Sequence, residues 1–565
     1  MKQHRWTENA REVLKERYFL KGPDGTPREN EEQLLLRVAG AVAKAEEGSR
    51  KEREWSERFF KLMSDGVFLP NSPTLMNAGK PEGQLAACFV IPIGDDLDSI
   101  FDALKYAARI HQSGGGTGFS FSSLRGKGAE VASSGGVAGG PVSFLRVFDQ
   151  STETIKQGGV RRGANMGVLR VDHPDIFEFI ESKGDMGSIT NFNLSVGVTD
   201  EFFRALKKDE LFSLRCPRTH KTLRQVKAKE LFSRLVDSAW KCGDPGLVFL
   251  DRMNFFNPTP GVGSFEATNP CGEQPLLGYE SCNLGSLNLG RFVQRGALDW
   301  EGLGAATHEA LRFLDNVIDV NHYPLPECRK ITLRNRKVGL GVMGYADLLL
   351  LMGIPYGSAR ALELGESVMS FIDRTAKSAS IALAQERGAF TGFASSLWSR
   401  LGYPPLRNST VSTVAPTGTI SLLLGASSGI EPHFAANLQR NVLGGRVLVE
   451  LQSGVDEALR ARGVVSRPIS EGAVAQALGS VWRPARELSA EEHIQTQAVF
   501  QRHSDSAVSK TVNLPRESKP EDVERVFRLA EELGCKGVTV YRDQSRPTQV
   551  LEEAPAGAQC DRCVD

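Results

Sequence analysis

The chain has 565 residues, 41% of them hydrophobic, and its 68 Lys and Arg balance 68 Asp and Glu. Such a length supports one large α/β domain or two to three smaller ones with ample core. Zero net charge argues against a broad nucleic-acid or anionic-membrane surface, so any phosphate site must be local. Apolar runs such as LLLLMGI, ending at Ile354, fall well short of the ~20 residues that span a bilayer. The first residues, MKQHRWTENAREVLKERY, alternate charged and apolar positions. Neither a secretory signal nor a membrane anchor is expected there, and a cytoplasmic location is. Nine cysteines, an odd number, in a reducing compartment direct attention to catalytic, metal-binding or buried thiols rather than structural disulfides.

From Asn9 to about Asp65 the apolar spacing predicts helices over VLKERYFL, EEQLLLRVAGAVAKAEE and WSERFFKLMSDG, the last closing on Gly66. Residues 1–65 are thus expected to form a helical N-terminal region. Beyond it, glycine-rich turns alternate with short apolar runs and amphipathic stretches such as ALRFLDNVIDVN and LGESVMSFIDRTAKSASIALAQER. That rhythm predicts an α/β body over residues 66–546, with parallel strands and crossover helices. Charge-rich helical stretches such as KAKELFSRLVDSAW read as solvated faces. From Pro547 the segment PTQVLEEAPAGAQCDRCVD loses periodicity, and residues 547–565 are expected to be a flexible tail.

Three glycine-bearing segments are candidate ligand loops. APTGTISLLL from Ala415, followed by GASSGIEPHF, sets small hydroxyl residues and a glycine before an apolar helical run. Backbone amides at such a helix start favour an anion, and an ordinary N-cap has the same appearance. GGGTGFSFS from Gly114 is neither a Walker loop nor a clean dinucleotide fingerprint, but its glycines permit close approach by a ligand. GGVRRGAN from Gly158 carries the adjacent guanidiniums of Arg161 and Arg162, which either clamp phosphate or face water.

Three cysteines stand in distinctive settings: Cys88 in LAACFV, Cys271 in TNPCGEQPL and Cys282 in ESCNLGSLNL. A two-electron reduction by protein thiols needs a pair able to close, while a third thiol flanked by Asn269 and Glu273 can act on substrate directly. Cys560 and Cys563 form a C-x-x-C near the end of the chain. It is either half of a zinc site, for which no neighbouring motif supplies the remaining ligands, or a mobile dithiol that reduces an internal disulfide by exchange. Cys216, Cys242, Cys328 and Cys535 have no partner motif and read as buried apolar thiols. His111, His173, His433 and His503 lack paired spacing and read as hydrogen-bonding or surface residues, so no metal site is expected.

In combination and order, NSPTLMNAG (Asn71 to Gly79), KQGGVRRGANMG, NPCGE (Asn269 to Glu273), SCNLGSLNL from Ser281, APTGTIS, AVSKTVNLP and KGVTVYRD resemble ribonucleotide reductase. The likeness is to the adenosylcobalamin-dependent class II enzymes of the dimeric type, and it covers nearly the whole chain. It implies a ten-stranded α/β barrel with a central finger loop bearing the radical cysteine; Pro270 and Gly272 around Cys271 suit a tight loop. By position, Cys271 would be the thiyl that removes the ribose 3′ hydrogen, Glu273 the base and Asn269 a hydrogen-bonding group on the sugar. Cys88 and Cys282 would supply two electrons and end as a disulfide, re-reduced by Cys560 and Cys563 and then by thioredoxin. The family pattern maps substrate contacts onto Ser72, Ala87, Gly116, Pro270, Gly272, Pro416, Thr417, Gly418, Thr419 and Ile420. Ala87 departs from it, because relatives often have serine there.

A deoxynucleoside triphosphate effector at a homodimer interface would meet Asp95 and Arg125, with Gly158 and Arg161 in the loop that relays its identity. The sequence has no Tyr-Tyr pair and no RVCGY-like glycine setting near its end. Within the resemblance this leaves adenosylcobalamin as radical source, acting on ribonucleotides, with diphosphates favoured. Two other classes stay open. A glycyl-radical-type lyase shares the barrel and finger cysteine but not the dithiols, and a non-catalytic nucleotide-binding regulator would keep only the fold.

Overall fold

The computed structural model describes residues 4–131, 135–157, 161–184, 187–442, 446–464, 469–545 and 551–553, with the side chains of 156–162, 438–450 and 551–553 left undescribed. Gly158, Cys560 and Cys563 lie outside the described residues.

The N-terminal region forms α1 (Glu8–Arg17), α2 (Glu31–Ala43) and α3 (Ser49–Ser64). Thr7 caps α1, and Asn30 with Gln33 makes a reciprocal capping box at α2, satisfying amide donors that a helix start leaves unpaired. Gly66, at φ +68°, takes the left-handed turn after α3 that a residue with a Cβ adopts only under strain. These helices bury Val13, Leu14, Leu34, Leu35, Val38, Phe59 and Leu62 in one cluster with the helices Trp300–Val320 and Ala359–Arg387.

The body is one ten-stranded sheet. Its strands are β1 (Phe68–Pro70), β2 (Cys88–Val90), β3 (Gly116–Ser120), β4 (Asn165–Arg170) and β5 (Phe192–Val198), then β6 (Gly246–Phe249), β7 (Ser281–Asn288), β8 (Val338–Met343), β9 (Thr511–Leu514) and β10 (Gly537–Arg542). Strands β2 to β6 run parallel in sequence order. The second half pairs β7 with β8 and β9 with β10, also parallel. Between them, parallel bridges Leu340 to Ser412 and Val414 to Val508 carry the ladder across. The halves meet antiparallel at both junctions, β2 with β7 and β6 with β10, and the sheet thereby closes into a barrel.

Parallel strands with crossover helices were the expectation from sequence, and β2 to β6, β7 with β8 and β9 with β10 obey it; the antiparallel junctions, and β1 antiparallel against β7, do not. A one-dimensional pattern of apolar runs carries no strand direction between distant segments, so nothing in it marks where a parallel set reverses. Buried parallel strands also lose the alternation that marks a half-solvated sheet, as in β7, where every residue is buried.

Two local expectations are corrected. Gly114 to Ser122, read as a ligand loop, contains strand β3. KAKELFSRLVDSAW lies in the helix Ala228–Cys242, which is solvated on one side only and buries Leu231, Phe232, Leu235 and Val236 on the other. Beyond Pro547, Leu551–Glu553 adds an antiparallel strand to Asn437–Val442, so part of the expected tail has backbone structure. Among the described residues no helix is long and apolar enough to cross a membrane.

Candidate active site

Inside the barrel a hairpin pairs Ala267–Thr268 with Pro275–Leu276, and its tip is Asn269-Pro-Cys-Gly-Glu-Gln274. Asn269 organises the tip. Its backbone N–H donates to the Gln274 carbonyl at 3.1 Å, and its side-chain oxygen accepts from the Gln274 N–H at 2.9 Å. Its carbonyl accepts the Gly272 N–H at 3.1 Å, and Gly272 turns the chain at φ +83°, a conformation natural to glycine. Asn193 of β5 donates to the Pro270 carbonyl at 2.8 Å, anchoring the tip to the wall.

The barrel wall makes room for the hairpin with glycines. A Cβ at Gly118 of β3 would overlap the Thr268 carbonyl oxygen, and one at Gly116 would stand 2.8 Å from Pro270 Cγ. The glycine run is therefore a clearance for the protein's own hairpin. Sequence reasoning missed this, although small residues confined to one strand of a closed barrel are the signal of close backbone approach.

At the tip Cys271 is exposed, while Asn269, Glu273 and Gln274 are buried. Glu273 has its backbone carbonyl held by Thr413 Oγ1 at 3.0 Å and Ala507 N–H at 2.8 Å. Its Oε2 is buried without a hydrogen-bond partner. Burial pushes its carboxyl up to about 7 against a weaker lowering by Asn269, which places it where a general base works best near neutrality.

Cys88 and Cys282 are directly opposite each other where β2 meets β7. Residues so placed have Cα atoms roughly 4.5–5.5 Å apart, within the span of a disulfide. Both thiols are buried and reduced. Burial raises both, and nearby Glu273 raises them further. Asn269 Nδ2 donates to Cys88 Sγ at 3.1 Å, tying the pair to the hairpin.

The other residues expected to bind ligands are placed as follows. Ser72 opens α4 (Ser72–Asn77) just after β1 and shares a 2.8 Å hydrogen bond with Tyr18. Ala87 and Gly116 are joined by a 2.9 Å backbone bond at the β2–β3 edge, beside the hairpin. In the 415–420 segment Thr417 is buried, receives the Gly429 N–H on its hydroxyl at 2.8 Å and precedes the short helix Gly418–Leu424. Pro416 and Gly418 are exposed, Thr419 is half-buried and Ile420 is buried.

Asp95 and Arg125 form an ion pair, with Arg125 Nε 2.9 Å from Asp95 Oδ2 and the Arg125 N–H 3.0 Å from Oδ1. Arg161 lies in a two-residue strand, Arg161–Arg162, paired with Lys156–Gln157. Among the bystander cysteines, Cys242, Cys328 and Cys535 are buried, but Cys216 is only partly so; hydrogen bonding from Thr219 lowers its thiol. His111, His173 and His433 are buried and hydrogen-bonded, and His503 meets Glu366 at 3.4 Å.

An exposed thiol on a hairpin inside a ten-stranded α/β barrel, with a facing thiol pair tied to that hairpin, is the arrangement of a thiol-based oxidoreductase. The chain matches the family described as "Ribonucleotide reductase, barrel domain" over residues 86–541 and "Ribonucleotide reductase, all-alpha domain" over residues 4–83. It belongs to the ribonucleotide reductase family. A protein named vitamin B12-dependent ribonucleoside-diphosphate reductase from Thermoplasma acidophilum is 50% identical over 511 residues, 88% of this chain and 66% of that protein. One of the same name from Mycobacterium tuberculosis is 47% identical over 566 residues, 97% of this chain and 81% of that protein. A vitamin B12-dependent ribonucleotide reductase from Streptomyces clavuligerus is 31% identical over 640 residues, 97% of this chain and 66% of that protein. The chain thus spans 66% to 81% of these relatives' lengths.

Proposed function

We propose that the chain reduces ribonucleotides, at the diphosphate level, to 2′-deoxyribonucleotides for DNA synthesis, with adenosylcobalamin as its radical source. The observation that carries this reading is the convergence of exposed Cys271, the facing pair Cys88 and Cys282, and buried Glu273 around one hairpin tip. Names of the relatives support the cofactor and the diphosphate. The fit of the cofactor rests on Cys271, which is exposed while its neighbours Asn269, Pro270 and Glu273 are buried. When bound, adenosylcobalamin supplies the one-electron oxidising equivalent that makes the Cys271 sulfur a thiyl.

Cys271 takes the 3′ hydrogen of the ribose, and Glu273 takes the 3′-hydroxyl proton. One thiol of the Cys88 and Cys282 pair protonates the 2′-hydroxyl, which leaves as water, the other delivers its hydrogen to C2′, and the two electrons given up join their sulfurs in a disulfide, while Glu273 returns its proton to the 3′ oxygen. Cys271 then returns its hydrogen to C3′. Asn269 keeps the tip and Cys88 in one hydrogen-bonded unit and lowers the Glu273 carboxyl against its burial, which supports a positioning role beside its contact to the sugar. Ser72, Ala87, Gly116, Pro270, Gly272 and the segment Pro416 to Ile420 line the substrate, the last cradling phosphate.

The dithiol of Cys560 and Cys563 reopens the disulfide, and thioredoxin reduces the dithiol. A deoxynucleoside triphosphate binds near Asp95 and Arg125, with Gly158 and Arg161 in the relaying loop, at a homodimer interface. Exposed Leu97 and Phe101 on the helix Leu97–Gln112 and Val147 on Pro141–Thr154 support that face, next to Asp95. A cytoplasmic location is part of the same reading, because the thiols must stay reduced between turnovers.

The test is anaerobic turnover of each ribonucleoside di- and triphosphate with a dithiol, with and without adenosylcobalamin, scored as deoxynucleotide by chromatography. Cobalamin-dependent deoxynucleotide formation is expected, and none under any effector would overturn the reading. A glycyl-radical-type lyase or a non-catalytic regulator leaves the facing pair Cys88 and Cys282 without a purpose.

A further inference from the structure

Lys337 and Glu280 are each about 1% exposed at the side chain and form an ion pair of 2.5 Å. Glu280 also accepts the Leu277 N–H at 2.7 Å and Asn335 Nδ2 at 2.5 Å, which holds the pair in place; desolvation offsets much of the attraction in a buried charge pair, so its location matters more than its contribution to stability. β7 and β8 pair in parallel with Asn283 opposite Val338, which sets Cys282 and Lys337, the residues just before each, side by side. Glu280 lies just before β7, two positions ahead of Cys282, and meets Lys337 there. Lys337 Nζ also stands 4.4 Å over the ring of Phe265, which packs in one cluster with Cys88 and Cys282. A held ammonium thus sits beside one member of the redox pair.

The two sulfurs differ in their surroundings. Cys88 is hydrogen-bonded to the hairpin through Asn269 and feels Glu273, Cys271 and Cys282, with no cation among the influences on it. Cys282, wholly buried, feels Lys337 more strongly than it feels either Glu273 or Glu280. Cys88 is the member nearer the exposed tip; Cys282 is the member backed by positive charge.

We propose that Lys337 gives the Cys88–Cys282 disulfide a direction of cleavage: an incoming thiolate attacks Cys88, and Cys282 leaves as the thiolate facing the Lys337 ammonium. The inference rests on the reading above that the pair cycles through a disulfide. The attacking sulfur bonds to Cys88 Sγ as the Cys88–Cys282 bond breaks, and the electron pair goes to Cys282, which then takes a proton. The second thiol of the dithiol attacks the mixed disulfide, freeing Cys88 and closing the dithiol as its own disulfide. Two electrons pass from dithiol to pair, and Lys337 is a positioning charge that lowers the leaving group's basicity, the quantity that speeds exchange.

The experiment uses the full chain carrying Cys560→Ser and Cys563→Ser, so that only an added thiol acts. After one turnover the enzyme is exposed briefly to 2-mercaptoethanol, quenched with N-ethylmaleimide and peptide-mapped. Expected are the mercaptoethanol adduct on Cys88 and the maleimide on Cys282, in about threefold excess over the reverse, the scale that a Brønsted slope of about 0.5 gives for a one-unit change in thiol basicity. In Lys337→Met combined with Glu280→Gln, which leaves no unpaired buried charge, the preference falls toward equality.

Adducts mainly on Cys282 overturn the inference, and so does an unchanged preference in the double variant. The mapping on unaltered Lys337 and Glu280 stands even if the double variant does not fold. Absence of any Cys88–Cys282 disulfide after turnover is the distinct result that sinks the proposed function along with it.

Discussion

Cys88 and Cys282 face each other across the antiparallel junction between β2 and β7. The pair that must open and close therefore sits on a seam between the barrel halves, where opposed residues already have disulfide spacing without backbone movement. Burial keeps both sulfurs as thiols, the form needed to protonate a leaving hydroxyl. Pre-reduced enzyme carrying Cys560→Ser and Cys563→Ser, without external dithiol, is expected to give one disulfide per deoxynucleotide formed at this pair. Mass spectrometry after alkylation checks the stoichiometry, and product without that disulfide would remove the pair from the chemistry.

Cys271→Ser is expected to abolish turnover completely while leaving the fold untouched. The side chain is exposed, and surface changes usually alter stability by less than ~0.5 kcal/mol. Thermal denaturation and a turnover assay on the same preparation separate the two effects. Residual deoxynucleotide formation would show that another group starts the reaction.

Glu273, pushed by burial up to about 7 from an ordinary 4.5, gives a pH signature with a definite sign. Because its value in the fold is raised, the fold favours the protonated form. That contribution is present in full below about 4.5 and is lost as pH rises through about 7. Glu273→Gln should therefore gain stability over the parent at pH 8.5 but not at pH 4, by on the order of 3 kcal/mol for a shift of this size. Catalysis runs the other way: kcat/KM should rise as pH climbs through about 7, where the carboxylate forms, and not near 4.5. Tm and kcat/KM across pH check both, and a flat Tm difference would show that Glu273 is not buried as described.

Gly118→Ala is expected to be far more harmful than a methyl group on a strand would ordinarily be. Its Cβ overlaps the Thr268 carbonyl, so the hairpin must shift. Overpacking of this kind costs about 1–3 kcal/mol, and displacement of the tip should lower kcat disproportionately. Equal losses of stability and activity in a conservative control such as Val168→Ala would argue against a special role for the clearance.

Much of the site was legible in the sequence because its chemistry resides in side-chain identity. Cys271 between Asn269 and Glu273 announces itself, and so do two further thiols in unlike settings. Asp95 and Arg125 were named only by resemblance, as effector contacts, and their ion pair was not foreseen, since 30 residues separate them and no periodicity relates them. The glycines from Gly114 announced close approach without saying what approaches; at Gly116 and Gly118 the protein's own hairpin does. Lys337 and Glu280 were invisible for a related reason. A lysine in NRKVGLG and a glutamate in GYESC are ordinary until a strand register sets them beside Cys282.

The double variant Cys560→Ser, Cys563→Ser should stop thioredoxin-driven turnover yet keep turnover driven by dithiothreitol, which can reach the pair directly. Parallel assays with the two reductants decide this. Full thioredoxin-driven activity would take the C-terminal dithiol out of the cycle.

The closing seam of the barrel also supports the base. Val414 and Val508 bridge the sheet, and adjacent to that bridge Thr413 and Ala507 both grip the carbonyl of Glu273. Barrel closure and carboxylate placement are thus one event. A chain whose last strands have not yet docked holds Cys271 on a loosely tethered hairpin with no aligned base, which delays catalytic competence until the C-terminal half is in place.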